Sequence, residues 1–295
     1  MVKIKILNET EEKIQILLSK TDRSFANALR RSLISDTPKM AIDSVTFQLG
    51  TKEQDEEIWE TTGPLPDEMV AQRLAMIPIP TVHDKFHFQH ECPNCKDVVE
   101  EERGCVECQM IYTCVVFGSE EGRWVTAGDM KYLGEGSLEI PDEYKSIPIT
   151  KLLKGQMIEF YATAIMGRGR EHTKWSPVCG VSFHPRRIGV LNNKKKSKIL
   201  WDMDLEINAK DFDKDGKLND IDKVAILSDE LNHVGEGTEA SREFGDAITL
   251  EEVPGEFILE FETDGSMGPK VAFMKAVEEL AGRFGSLEQD LSAAL

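Results

Sequence analysis

Nowhere in the chain do apolar residues run on for the roughly 18 to 20 positions that a membrane-spanning helix needs. The opening segment, Met1 to Leu7, has no basic stretch leading into an apolar one. Both absences predict a cytoplasmic protein with no membrane contact. Positive charge is in short supply as well: 35 Lys and Arg stand against 53 Asp and Glu, a net charge of −18. Such a surface repels phosphate backbones, which argues against direct DNA contact. Cysteine is scarce, six in 295 residues, and that excludes a disulfide scaffold. What remains is a chain with 40% hydrophobic residues, enough for one large or two modest cores and too much for disorder.

The hydrophobic pattern divides the chain. Val2, Ile4, Ile6 and then Ile14, Ile16 alternate with polar residues, which predicts an antiparallel hairpin over Val2 to Leu18. Thr21 to Ser24 can cap a helix carrying Phe25, Ala28, Leu29, Ser32 and Leu33 on one face, ended near Pro38. A strand over Ala41 to Leu49 and an acidic stretch from Gly50 to Glu60 come next, and then a short helix over Asp67 to Met76. The composition shift near Gly50 marks a domain boundary. Trp124 to Met166 reads as β-rich, and Arg186 to Asp246 as a solvated, partly helical acidic insertion. After a strand candidate at Phe257 to Phe261, a last helix begins near Pro269. Its residues Phe273, Val277, Leu280, Phe284, Leu287 and Leu291 recur at spacings 4, 3, 4, 3, 4. A 3.5-residue period is what one helix presents to another, either within a core or across a subunit interface.

Cys92-Pro-Asn-Cys95 and Cys105-Val-Glu-Cys108 are two CxxC pairs nine residues apart. They can bring four thiolates to one tetrahedral Zn²⁺, a closed and therefore structural site holding one zinc per chain. A redox dithiol, an iron–sulfur cluster or plain reduced thiols are the alternatives. Cys114 and Cys179 lack paired spacing and are expected to be buried thiols. Asp211, Asp213, Asp215, Asn219 and Asp222, with Gly216 at position 6, match a calcium loop except that an Asp stands where a longer Glu is usual. No nucleophile–base pair or phosphate-cradling glycine loop accompanies Arg168 to His172, so no catalytic residue is assigned and His172 is read as structural. A zinc-ribbon binder of nucleic acid is the competing reading, but Asp97, Glu100, Glu101, Glu102 and Glu107 crowd the cysteine loop where such a protein needs Lys and Arg.

Five segments in order resemble one family. They are Asn27-Ala28-Leu29-Arg30-Arg31-Ser32-Leu33 with Pro38 and Ala41 to Val45; Ala71-Gln72-Arg73-Leu74-Ala75-Met76-Ile77-Pro78 with the cysteine loop after it; Lys154-Gly155-Gln156; His172-Thr173-Lys174-Trp175-Ser176-Pro177-Val178; and Phe257 to Gly265 with the last helix. This pattern resembles the α-like subunits of RNA polymerase in their archaeal branch, which is similar to the third-largest subunit of eukaryotic RNA polymerase II. The resemblance implies an α+β fold with a discontinuous α/β dimerisation domain (residues 1–50, 176–186 and 245–295). Into it are set a β-rich domain (51–175, cysteine loop 92–108) and an acidic subdomain (187–244). It implies a non-catalytic assembly subunit of DNA-directed RNA polymerase, whose active site lies on the largest subunit. Phe25, Leu29, Arg30, Arg31 and Leu33, together with the seam of the last helix, would meet a subunit L-type partner, and Arg30 and Arg31 are candidates for a large-subunit contact. The heterodimer would then receive two small assembly subunits and the large catalytic subunits. Some relatives carry iron–sulfur clusters in an insertion where this chain has no cysteine, so no such cluster is expected there.

Overall fold

The computed structural model describes residues 2–54, 56–134, 138–196, 198, 207–233, 237 and 239–294, so the stretch 199–206 of the acidic segment lies outside the described residues. The elements are α+β and separate into two compact units. One comprises Met1–Leu7, Gln15–Asn27 and Ser182–Leu259; the other comprises Asn8–Ile14, Ala28–Val181 and Glu260–Leu295.

The first unit is built on a five-stranded sheet in the order β1 (Lys3–Glu9), β2 (Lys13–Ser19), β13 (Ile248–Thr263), β11 (Val178–Leu191), β12 (Lys217–Leu218). Alternation in β2 buries Ile16 and Leu18, as the period-2 pattern requires. Helix α1 (Arg23–Ser35) starts here, with the Asp22 carboxylate accepting the Phe25 amide at 2.8 Å, an N-cap that satisfies one orphan donor. The acidic segment has a core of its own. Ile207, Leu218, Val224, Leu227, Phe244 and Ile248 are buried together, supplied by β12, α3 (Ile221–His233), α4 (Glu239–Ala247) and the start of β13.

Two strands outrun their sequence signals. Pro185-Arg186-Arg187, which reads as the start of the insertion, lies inside β11. β13 begins at Ile248, nine residues before the expected Phe257. Pro254 and Gly255 mask that strand, because Gly255 takes φ +73° within it and its carbonyl accepts the Thr21 amide. Arg186 is held in β11 by Glu256 of β13 at 2.6 Å, so a charge that looks solvated in the sequence is paired across the sheet.

The second unit is centred on an antiparallel sheet in the order β3 (Pro38–Phe47), β10 (Met157–Arg168), β6 (Gln109–Phe117), β8 (Lys131–Tyr132). One face of β6 contributes Met110, Tyr112, Cys114 and Val116 to the core, where Phe160 and Ala162 of β10 meet them. The Tyr112 hydroxyl is satisfied by the Leu138 carbonyl at 2.6 Å. Helix α2 (Asp67–Ala75) covers this core with Val70 and Leu74. The acidic stretch after Gly50 forms a hairpin, β4 (Thr51–Gln54) with β5 (Glu57–Glu60), and β7 (Arg123–Thr126) pairs with β9 (Pro148–Leu152). Cys114 is buried as expected, but Cys179 is exposed, a correction that follows from its place on the open side of β11.

The run Gly167-Arg168-Gly169 shows why glycine is needed at the end of β10. A Cβ on Gly167 would lie 2.4 Å from the Trp175 ring, and one on Gly169 would lie 2.0 Å from the Ile34 carbonyl oxygen. Gly169→Ala and Gly167→Ala should each lower stability by about 1–3 kcal/mol through overpacking. Gly245→Ala, where a Cβ meets nothing within 4 Å, should gain up to about 1 kcal/mol from helix propensity. Denaturant midpoints of the three variants check this ordering.

Candidate metal centre and dimerisation helix

The loop between α2 and β6 folds each CxxC pair into the same tight turn. The Cys95 and Lys96 amides donate to the Cys92 carbonyl (3.1 and 2.9 Å), and the Cys108 and Gln109 amides donate to the Cys105 carbonyl (3.0 Å each). The two turns face each other. Sγ separations are 3.5 Å for Cys92–Cys105, 3.7 Å for Cys105–Cys108 and 3.8 Å for Cys95–Cys108, and all four sulfurs lie within 4.8 Å of one another. Four thiolates held about 2.3 Å from one ion stand about 3.8 Å apart, so the donor set fits a single tetrahedral metal ion. A polynuclear cluster would push the sulfurs further apart. Cys92, Cys95 and Cys108 are buried, and the loop is tied down by the His87 amide on the Glu107 carbonyl (2.9 Å) and by Arg103 Nε on the Val98 carbonyl (3.0 Å).

Burial pushes the Cys92 and Cys108 thiols up. Burial raises Cys105 as well, but the Glu107 amide and the neighbouring thiols Cys92, Cys95 and Cys108 outweigh it and bring Cys105 down to about 7. A set in which one thiolate is ready and others are held protonated is poised to exchange protons for a cation.

The structure brings two of the proposed calcium ligands, Asp213 and Asn219, within hydrogen-bond distance of each other. Among the described residues, the four cysteines form the one group of His, Cys, Asp and Glu ligand atoms close enough to share an ion. Asp211 pairs with Lys223 at 2.6 Å and accepts the Asn208 amide. Asp213 accepts the amides of Asp215 (3.0 Å) and Lys217 (2.8 Å) and the Asn219 side chain (3.2 Å). Those carboxylates organise a turn around Gly216, at φ +78°, and lead into α3, near whose start Asp222 sits exposed. His172 likewise has a structural task, its Nδ1 accepting the Lys174 amide at 3.1 Å.

The two helices of the family motif divide by exposure. In α1, Leu29 and Leu33 are fully buried within the chain, Phe25 and Arg30 are half-buried, and Arg31 is exposed. In α5 (Pro269–Ala294), Ala272, Phe273 and Ala276 are buried and Val277 and Leu280 half-buried. Phe284, Leu287 and Leu291 are 60%, 62% and 58% exposed. The inner half of α5 is fastened to the second unit. Ser32 Oγ donates to the Ala276 carbonyl at 2.8 Å, and Arg168 donates to both Glu279 carboxylate oxygens at 2.9 Å while its guanidinium lies 4.3 Å from the centre of the Phe88 ring. The sequence period is thus one stripe with two environments: a core half and an uncovered half. The spacing in α1 puts Ser32 on its apolar face, but Glu279 was not singled out by sequence reasoning, because a salt-bridged glutamate leaves no periodic signal.

The family model for the RNA polymerase Rpb3/Rpb11 dimerisation domain matches residues 15–284. The DNA-directed RNA polymerase subunit Rpo3 of Thermoplasma volcanium is 30% identical over 99% of this chain and 100% of its own length. Rpo3 of Pyrococcus horikoshii is 36% identical over 60% of this chain and 57% of its own. The RNA polymerase II subunit rpb3 of Dictyostelium discoideum is 28% identical over 99% of this chain and 95% of its own. With a dimerisation-domain model spanning most of its length and a full-length relative at that identity, the chain belongs to the Rpb3/Rpb11 family of RNA polymerase subunits.

Proposed function

We propose that the chain is the non-catalytic assembly subunit of a multi-subunit DNA-directed RNA polymerase, and that it works in the cytoplasm by pairing with a subunit L-type partner through α1 and the outer half of α5. The observation that carries this reading is the uncovered stripe Phe284, Leu287, Leu291 on a helix whose first half is already buried. Covering each of these side chains is worth up to about 1.5–3 kcal/mol, a gain that a second chain can supply. Half-buried Phe25, Val277 and Leu280 can join that contact at its edge, whereas Leu29, Leu33 and Phe273 support it from within the chain. Exposed Arg31 is free in position to reach a large catalytic subunit. In this reading the pair is the platform for two small assembly subunits and the large subunits, the largest of which holds the active site. No helix among the described residues is long and apolar enough to cross a membrane.

The four thiolates are assigned to one zinc ion, which supplies no turnover and instead closes a loop with few apolar contacts of its own. Asp97, Glu100, Glu101, Glu102 and Glu107 around it favour this structural role over nucleic-acid binding.

Native mass spectrometry of the chain co-expressed with a subunit L-type partner should show a one-to-one complex carrying one zinc. A stable monomer alongside abundant free partner would sink the reading. Leu287→Asp should weaken the pair at least about tenfold, yet shift the chain's own stability by no more than about 0.5 kcal/mol, as for other exposed sites.

Zinc uptake should release protons at pH 7. A protonated thiol must lose its proton before it can ligate, so affinity should fall as pH drops through about 7, where Cys105 titrates, and the buried Cys92 and Cys108 thiols add to the slope. Competition with a chromophoric chelator between about pH 6 and 8 measures this. A flat profile would remove the thiolate assignment.

A further inference from the structure

We propose that Arg283 is a positioning residue for the dimerisation helix: by pairing with the buried Asp36 it pins α5 at a glycine-weakened turn and so aims Phe284, Leu287 and Leu291 at the partner. This rests on the dimer reading above. Asp36 is 2% exposed and lies one residue beyond α1, while Arg283 is 51% exposed and lies on the uncovered half of α5. Arg283 Nη2 donates to an Asp36 carboxylate oxygen. A buried carboxylate holds its counter-charge tightly, so the pair fixes the helix at that residue.

The position of this pair along the helix gives it its consequence. Side-chain ties from α5 to the rest of its unit occur at Lys270, Ala276, Glu279 and Arg283. Past Arg283, among the described residues, the side-chain bonds of α5 return to its own backbone, from Ser286 to the Gly282 carbonyl and from Ser292 to the Glu288 carbonyl. Arg283 is therefore the last tether before the exposed stripe. It is also bracketed by Gly282 and Gly285, each about 1 kcal/mol poorer than alanine in a helix. Neither glycine is required by space in this chain, since a Cβ at either meets nothing within 4 Å. The helix is thus easiest to bend or fray just where the ion pair holds it. If losing the pair leaves about a tenth of the molecules with the stripe correctly presented, the apparent dissociation constant rises about tenfold.

The test uses the full chain, its Arg283→Gln variant, and the variant Gly282→Ala/Arg283→Gln/Gly285→Ala, each titrated with a purified subunit L-type partner and each followed by hydrogen exchange without it. The expected result is that Arg283→Gln binds about tenfold more weakly, exchanges faster within residues 282–294 and not in the β3–β10–β6 core, and recovers most of its affinity when the two alanines stiffen the turn. Wild-type affinity for Arg283→Gln, alongside a wild-type chain that does bind, overturns the positioning role and leaves the dimer reading intact. A loss that the alanines fail to repair, with unchanged exchange in 282–294, also overturns it and makes Arg283 a direct contact. A wild-type chain that does not bind the partner removes the dimer reading and this inference with it.

Discussion

The final helix buries Ala272, Phe273 and Ala276 in its own chain and leaves Phe284, Leu287 and Leu291 about 60% exposed, and much else in the second unit follows from that division. An amphipathic helix gains stability only where its apolar stripe is covered. Here the inner half is covered and also bolted by directional bonds: the Ser32 hydroxyl on the Ala276 carbonyl and the Arg168 fork on Glu279. Those bonds set further requirements. Arg168 reaches Glu279 from the end of β10, where Gly167 and Gly169 let the backbone pass against Trp175 and Ile34. The same guanidinium lies over Phe88, four residues before the first cysteine of the CxxC pairs. The cysteine loop and α5 thus share one anchoring residue within a single unit.

How much of this was legible in the sequence depended on whether a feature is periodic or a matter of spacing. The hairpin at the start, α1 and α5 followed from apolar periodicity, and the two CxxC pairs from spacing; the sulfur separations of 3.5–3.8 Å realise that spacing. Periodicity cannot say which half of a stripe the chain covers itself. It failed at β11 and β13 for a different reason: Pro185, Arg186 and Arg187 look like loop chemistry until Glu256 is placed opposite Arg186, and Pro254-Gly255 hides a strand that tolerates a positive φ. Exposed Cys179 shows the limit of reading a lone thiol as core.

In the Asp-rich loop the candidate calcium ligands also organise the turn that carries them. Asp213 spends its carboxylate on two backbone amides and the Asn219 side chain, and Asp211 spends its own on Lys223. Each of these bonds satisfies a donor that would otherwise be left open. Sequence position alone gave the right residues for a turn and an ambiguous reason for them.

The acidic segment holds no cysteine and is held together by apolar packing: Ile207, Leu218, Val224, Leu227, Phe244 and Ile248 are buried together, with Leu191, Phe212, Leu231 and Leu250 packed around them. Among the described residues, Lys194, Lys195, Lys196, Asp213, Asp215, Asp220 and Asp222, which make the stretch look like a solvated linker, are exposed around a small core, and the apolar positions are too widely spaced, from Leu191 to Leu250, for any short window to reveal them as one cluster.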